Sequence, residues 1–320
     1  MTADNAIPVV VQQVRPVTPL IREFTLARED GKPLPAYSGG AHVVVVMPGT
    51  SRTLRNPYSL MGSSEDLGSY RIAVRLSETS RGGSRFMHEA VTPGSRLAIT
   101  PPVNLFPLDK LARRHVLIAG GVGITPVSAH VRELLHGTVP FEVHCGARSI
   151  EHATLAIELQ ALAPESVKLH LDCPGPAMDV DAILAVQPLG THLYVCGPTA
   201  MIEAVIASAR AAGWPESHIH WERFTAPPSG KPFEVTLSRS GKRVTVPPEM
   251  SLLEAIEAAG VDAPYLCRGG ACGQCETTVV SVDGTLLHHD VYLSDAQKAA
   301  GDRIMPCVSR ADCRSLVLDR

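Results

Sequence analysis

No block of basic residues and no interleaving of basic with aromatic side chains occurs in these 320 residues, where 29 Lys and Arg nearly balance 32 Asp and Glu. The electrostatic footprint of a nucleic-acid binder is missing, so no nucleic-acid partner is expected. Long apolar runs are missing too. The densest, Ala41 to Met47, is far shorter than the roughly 20 residues a membrane-spanning helix needs, so no membrane partner is expected either. The opening MTADNAIPVV lacks a basic segment followed by an apolar one, and without an export signal the chain is predicted to be cytoplasmic. Repeats and low-complexity tracts are also absent. With 45% hydrophobic and 19% charged residues, the composition is that of a globular protein rather than a long disordered one.

The length suits two or three domains, each burying its own core. Up to about Leu108 the chain reads as short strands between Gly and Pro clusters, Ile7 to Val11, His42 to Met47, Tyr70 to Leu76 and Arg96 to Thr100. Their alternation predicts an antiparallel β-barrel over residues 1–108. From His115 apolar strands alternate with helices, predicting a doubly wound α/β domain over 109–225. Thr225 to Lys231 is rich in Pro and Gly and is the best linker candidate. A third domain, 226–320, opens with a hairpin turning at Ser240-Gly241. A helix follows it, with Ser251 and Glu254 spaced as a capping box and Gly260 placed to stop it.

The eight cysteines are expected to be free thiols or metal ligands in a reducing compartment. Cys267, Cys272 and Cys275 form C-x4-C-x2-C and Cys307 lies further on, the spacing of a plant-type 2Fe-2S site. Four thiolates around two ferric ions carry net negative charge and need backbone N–H donors, which Gly269, Gly270 and Gly273 can bring close. A structural zinc site is the alternative, but zinc favours paired short-spaced ligands. No His falls within the loop, so the chain carries no Rieske centre of its own there. Cys145, Cys173 and Cys313 read as small buried hydrophobes. The His288-His289 pair is expected in a solvated loop.

Two further motifs follow predicted strands. Gly120-Gly121-Val122-Gly123-Ile124-Thr125-Pro126 is a strand-to-helix turn whose N–H groups could hold a pyrophosphate, although it departs from G-x-G-x-x-G and from the P-loop. Cys196-Gly197-Pro198 ends a later strand at the same sheet edge, where ligands bind in such folds. A packed strand-end cysteine is the alternative for Cys196. In Arg55-Asn56-Pro57-Tyr58-Ser59-Leu60 an aromatic ring, a hydroxyl and a guanidinium stand together, types that can pack on a planar ligand and hold its phosphate. Arg81-Gly82-Gly83-Ser84 could close on that phosphate, or be an ordinary turn.

These motifs resemble known ones. The loop Cys267 to Cys275 is similar to that of plant-type ferredoxins over roughly 231–320. GGVGITP and CGP resemble the nucleotide domain of the ferredoxin-NADP reductase superfamily over 109–225. Arg55-x-x-Tyr58-Ser59 resembles that superfamily's R-x-Y-S/T flavin strand with one extra residue. The domain order resembles the phthalate dioxygenase reductase family over essentially the whole length.

The resemblance implies a monomer holding FMN on the barrel, NADH on the α/β domain and a 2Fe-2S cluster on a β-grasp ferredoxin domain, with a Rieske-type oxygenase as acceptor. It implies flavin contacts from Arg55, Tyr58, Ser59, Ala73, Val74, Arg81, Gly82, Gly83 and Ser84. Nucleotide contacts would come from Gly120, Gly121, Thr125, Cys196, Gly197 and Pro198, and cluster ligands from Cys267, Cys272, Cys275 and Cys307. Ser59, Cys196 and Phe224 would stand at the reacting rings. A reductase using FAD or NADPH for another monooxygenase remains open, as does a non-enzymatic carrier or zinc module.

Overall fold

The computed structural model describes residues 6–49, 52–78, 80–173, 175, 178–224 and 228–320. Residues 225–227, where the linker was expected to start, lie outside them. Two compact units divide the chain after Arg223.

In the first unit, β1 (Ile7–Thr18), β2 (Ile21–Arg28), β3 (Ala41–Pro48), β4 (Thr53–Ser59), β5 (Tyr70–Arg75), α1 (Gly83–Glu89), β6 (Arg96–Ile99) and β7 (Val103–Asn104) build one sheet and a short helix. The strand order is β4-β3-β6-β1-β2-β5, with β7 on β3. Each neighbour is antiparallel. Register shifts in β1 between Val11 and Gln13 and between Pro16 and Thr18 are the irregularities that let a long strand bend. A bridge from Leu60 to Ile72 joins the two ends of this order, closing the sheet as a barrel removes its edges. Val9, Phe24, Val43, Val45, Ile72 and Met87 fill the interior.

The same unit continues through β8 (Arg114–Gly120), α2 (Ile124–Leu134), β9 (Phe141–Ala147), α3 (Thr154–Leu162), β10 (Val167–Leu171), α4 (Val180–Ala185), β11 (Thr191–Cys196), α5 (Thr199–Ala211) and β12 (Ile219–Glu222). These strands form a parallel sheet ordered β10-β9-β8-β11-β12. The chain runs outward from β8 through β9 to β10, then returns to the other side of β8. The order therefore reverses between β8 and β11, the switch point at which such sheets bind ligands. Barrel residues Met61, Ala73 and Phe106 share a core with Leu117, Val127 and Tyr194 of the parallel sheet and its helix. Helix α2 adds polar ties to the barrel. Ser128 Oγ donates to the Met61 carbonyl at 3.2 Å, and Glu133 accepts from the Gly39 N–H at 2.7 Å.

The second unit contains β13 (Phe233–Leu237), β14 (Lys242–Val246), α6 (Leu252–Ala258), β15 (Thr277–Leu287), α7 (Asp295–Ala300), β16 (Arg303–Ile304) and β17 (Arg310–Leu318). Its order is β14-β13-β17-β15-β16, with β13 and β17 parallel and the other pairs antiparallel. The capping box at the start of α6 forms as the spacing predicted, Ser251 Oγ accepting from the Glu254 N–H and the Glu254 carboxylate from the Ser251 N–H. Leu252, Leu253 and Ile256 bury the helix face. Arg310, 1% exposed, donates from Nη2 to the carbonyls of Lys231 and Pro247 at 3.1 Å each. The segment after residue 227 is thereby held against β17.

Two expectations change. Cys173 is exposed rather than buried, because it follows the end of β10 in a turn instead of pointing into the sheet. The His288 side chain is only 9% exposed and lies 3.6 Å from the Asp290 carboxylate, so that histidine is not solvated. No helix among the described residues is long and apolar enough to cross a membrane.

Candidate functional site

Four cysteines meet in the second unit. Cys275 and Cys307 place their Sγ atoms 3.3 Å apart. Each thiol changes the ionisation of its neighbours. Cys267 is pushed below the usual thiol range, first by hydrogen bonds from Cys272 and Cys307, and Cys275 first by one from Cys307. Cys272 and Cys307 are pushed up, first by their hydrogen bonding to Cys267. Four thiolates in so buried a loop need compensating positive charge. Ferric iron would supply it, and the all-sulfur donor set is that of a plant-type 2Fe-2S centre.

The loop backbone suits the same purpose. Gly269 N–H points to Cys267 Sγ at 3.3 Å. Gly270 and Gly273 take φ of 76° and 75°, and Arg268 takes 49° although it is not glycine. Left-handed backbone at a non-glycine residue persists only where its surroundings impose it. Here the Arg268 guanidinium lies 3.7 Å from the Tyr265 ring centroid and pairs with Glu257 of α6. The helix that the capping box starts thus fixes the curl of the cluster loop.

In the first unit the two glycine motifs come together at the switch point. Cys196 on β11 is level with Ala119 on β8. A Cβ added at Gly123 would sit 2.6 Å from the Gly197 nitrogen and overlap the Cys196 carbonyl. One added at Gly120 would lie 3.0 Å from Pro198 Cδ. Thr125, 2% exposed, turns its Oγ1–H inward to the Val122 carbonyl at 2.9 Å, bracing the turn. Gly121, at φ 54°, lines a shallow cleft open to solvent together with Ile124, Cys145, Gly146 and His152. The Cys196 thiol is buried, and burial followed by the Glu222 carboxylate pushes its pKa well up, keeping it protonated. Glu222 was not among the residues picked from sequence. No sequence pattern marks it, because it reaches Cys196 only through the register of two adjacent parallel strands.

On β4, Tyr58 pairs with Val43, Asn56 with Val45 and Arg55 with Val46, without a register shift. Side chains alternate along a strand, so Tyr58 and Asn56 share one face while Arg55 and Ser59 take the other. The extra residue in the motif has this consequence. Asn56 also meets the start of α1, for a Cβ added at Gly83 would lie 2.6 Å from Asn56 Cγ. The parity count that reveals Asn56 needs only the strand assignment. Gly82, at φ 114°, precedes α1, and Arg52 donates to the Arg81 carbonyl at 3.0 Å. Ser84 Oγ is 2.9 Å from Ser80 Oγ. Ala73 and Val74 are buried in β5, where the Val74 carbonyl accepts from His88 Nε2 at 2.8 Å.

Among the described residues, the Tyr58 and Ser59 hydroxyls are both buried without a hydrogen-bond partner. Buried polar atoms are rarely left so, and a hydroxyl without a partner fits a bound group that completes it. Burial also pushes the Tyr58 phenol up, keeping it a neutral donor. A flavin, when bound, supplies an acceptor of two electrons that can release them singly. Phe224, 46% exposed, opens the second unit.

Comparison with known proteins gives concordant matches. Residues 235–312 match the 2Fe-2S iron-sulfur cluster binding domain. Residues 96–219 match the N-terminal domain of the dimethylamine monooxygenase subunit DmmA-like family. The chain is 42% identical over 314 residues to a carnitine monooxygenase reductase subunit of Acinetobacter baumannii, covering 98% of this chain and 97% of that protein. It is 42% identical over 311 residues to the heme-dependent oxidative N-demethylase beta subunit of Ectopseudomonas mendocina, covering 97% of each. Phthalate dioxygenase reductase, a modular structure for electron transfer from pyridine nucleotides to 2Fe-2S, superposes with a TM-score of 0.88 at 34% identity, covering 99% of this chain and 98% of that one.

Proposed function

Because this chain belongs to the family of oxygenase reductase subunits, we propose that it takes hydride from NADH onto FMN and passes single electrons through its 2Fe-2S cluster to a separate Rieske-type oxygenase. The observation that carries the reading is the meeting of the two glycine motifs at the switch point in a chain that also gathers four thiols in a ferredoxin fold. Hydride delivers two electrons and the cluster accepts one, so a converter must stand between them.

In this reading residues 1–108 hold FMN, 109–225 hold NADH and 226–320 hold the cluster. Gly120, Gly121 and Thr125 shape the turn that receives the pyrophosphate. Cys196, Gly197 and Pro198 flank the nicotinamide. Tyr58 and Ser59 meet the flavin ring, and the segment 81–84 closes on its phosphate with Asn56 beside it. NADH is favoured over NADPH because the stretch after β9, Arg148-Ser149-Ile150-Glu151, carries Arg148 but no cluster of basic residues for a 2'-phosphate. The working form is a cytoplasmic monomer.

The acceptor admits a second reading. The likeness to a heme-dependent oxidative N-demethylase beta subunit favours a haem-containing oxygenase. Purified protein should carry iron and release FMN on denaturation, and NADH should bleach its visible spectrum faster than NADPH. Iron without any flavin would overturn the route. Capturing the acceptor and recording its spectrum decides between Rieske and haem.

A further inference from the structure

Residues 288–293 contain no cysteine and belong to no motif above, yet they lie against the cluster loop at two of its glycines. The Val291 N–H donates to the Gly270 carbonyl at 3.1 Å. A Cβ added at Gly270 would stand 2.6 Å from Val308 Cγ2 and 3.1 Å from Asp290 Cα. At Gly273, between Cys272 and Cys275, an added Cβ would overlap the Tyr292 ring and come 2.7 Å from its hydroxyl. The ring thus occupies the space that a side chain at residue 273 would take. With 48% of Tyr292 exposed, the residue lies between the loop and water.

The strap is not a loosely tethered turn. Asp290, whose side chain is 0% exposed, accepts from the Leu293 N–H at 2.9 Å and from Ser309 Oγ at 3.1 Å. Its carbonyl accepts from Lys298 Nζ at 2.8 Å, and Ser309 Oγ accepts from the His289 N–H at 3.2 Å. A buried carboxylate with paired donors holds its segment firmly, because releasing it would strand charge and donors together. Tyr292 is therefore presented to Gly273 by a braced turn.

We propose that Tyr292 is a positioning residue that roofs the cluster loop at Gly273 and limits the access of water to the Cys272 and Cys275 edge. Reduction adds negative charge to the cluster, and water stabilises that charge. A roof that excludes water holds the reduction potential down and slows the escape of iron. The proposal rests on the 2Fe-2S reading of the loop, and the iron content of the wild-type protein tests that reading separately.

The experiment uses the full-length, cluster-loaded protein and its Tyr292→Ala and Tyr292→Phe variants. Two quantities are read, the cluster midpoint potential in a redox titration and the rate at which an iron chelator bleaches the cluster. Tyr292→Ala should move the potential upward and speed iron loss several-fold, while Tyr292→Phe keeps both at wild-type values because the ring remains. A Tyr292→Ala protein with unchanged potential and unchanged iron release would overturn the proposal. So would a Tyr292→Phe protein that shifts as far as the alanine variant. Should Tyr292→Ala purify without iron, Tyr292→Leu is read in its place by the same criteria.

Discussion

Cys307 Sγ lies 3.3 Å from Cys275 Sγ although 32 positions separate them in sequence. The turn carrying Cys307 is tied to the start of α6, where the Leu253 N–H donates to the Pro306 carbonyl at 2.9 Å. The fourth ligand is thus placed by the fold, not by the loop that holds the other three. Replacing it by alanine leaves three thiolates, too few to complete the coordination of two irons. Cys307→Ala should purify with less than about a tenth of the wild-type iron, given the tenfold or greater losses that even outer partners of a metal site produce. Bound flavin should be retained, since its proposed contacts lie in the other unit. Wild-type iron in Cys307→Ala would remove Cys307 from the ligand set.

Ser59 offers a cleaner test of the flavin strand than a charged residue would. Its hydroxyl is buried and unpartnered among the described residues, so it costs the flavin-free protein desolvation without a compensating bond. Ser59→Ala should leave the flavin-free protein at least as stable as wild type. A hydrogen bond of about 1 kcal/mol to the bound ring would be lost, weakening flavin binding by roughly five- to tenfold. Thermal denaturation with and without added FMN reads both effects. An unchanged flavin affinity would place the ring elsewhere.

Local patterns were legible where their determinants lie close in sequence. The cluster loop has three ligands within nine residues, and the α6 cap depends on Ser251 and Glu254 alone. Strand β2 lacks a legible alternation, because Glu23 is buried and breaks the pattern that marks a half-exposed strand. Its carboxylate is held by Arg15 and Arg71 at 2.8 Å each, partners on two other strands. Helix α1 hid behind Gly82-Gly83, which read as a turn. Asn56 shares a face with Tyr58, whereas Arg55, an odd number of residues from Tyr58, takes the other. His288 looked solvated because its neighbour Asp290 is buried by contacts with Leu293 and Ser309 that no local pattern announces.

Gly123 tests the contact between the two nucleotide motifs. Its φ is −63°, which alanine adopts freely, so only space is at stake. An added Cβ would meet the Gly197 nitrogen at 2.6 Å, and the two turns would have to part. Gly123→Ala should cost about 1–3 kcal/mol of stability, as overpacking of a tight site does. It should also raise the KM for NADH about tenfold, while the visible spectrum of the cluster stays at wild type. An unchanged KM would mean that the approach of these turns does not shape the nucleotide site.

Acid should destabilise the first unit through His130. The ring is 0% exposed, donates from Nε2 to the Phe106 carbonyl at 2.8 Å and packs against Phe106 and Tyr194. Burial pushes its pKa down from 6.5 to about 4 against the smaller opposing effect of that hydrogen bond. Between these two values the unfolded chain binds a proton that the folded chain refuses. Stability therefore falls as pH drops below 6.5 and stops falling on this account near 4. At 1.36 kcal/mol per pH unit, one such histidine costs about 2 kcal/mol between pH 7 and pH 5. His115, pushed to about 4 by burial and then by the nearby His192, adds a loss of the same sign. In His130→Gln a neutral amide can keep the donation to Phe106 but cannot take up the proton. Urea denaturation at pH 7 and pH 5 should show the variant losing about 2 kcal/mol less than wild type over that interval. Equal losses in the two proteins would show that His130 is already protonated in the folded state at pH 5.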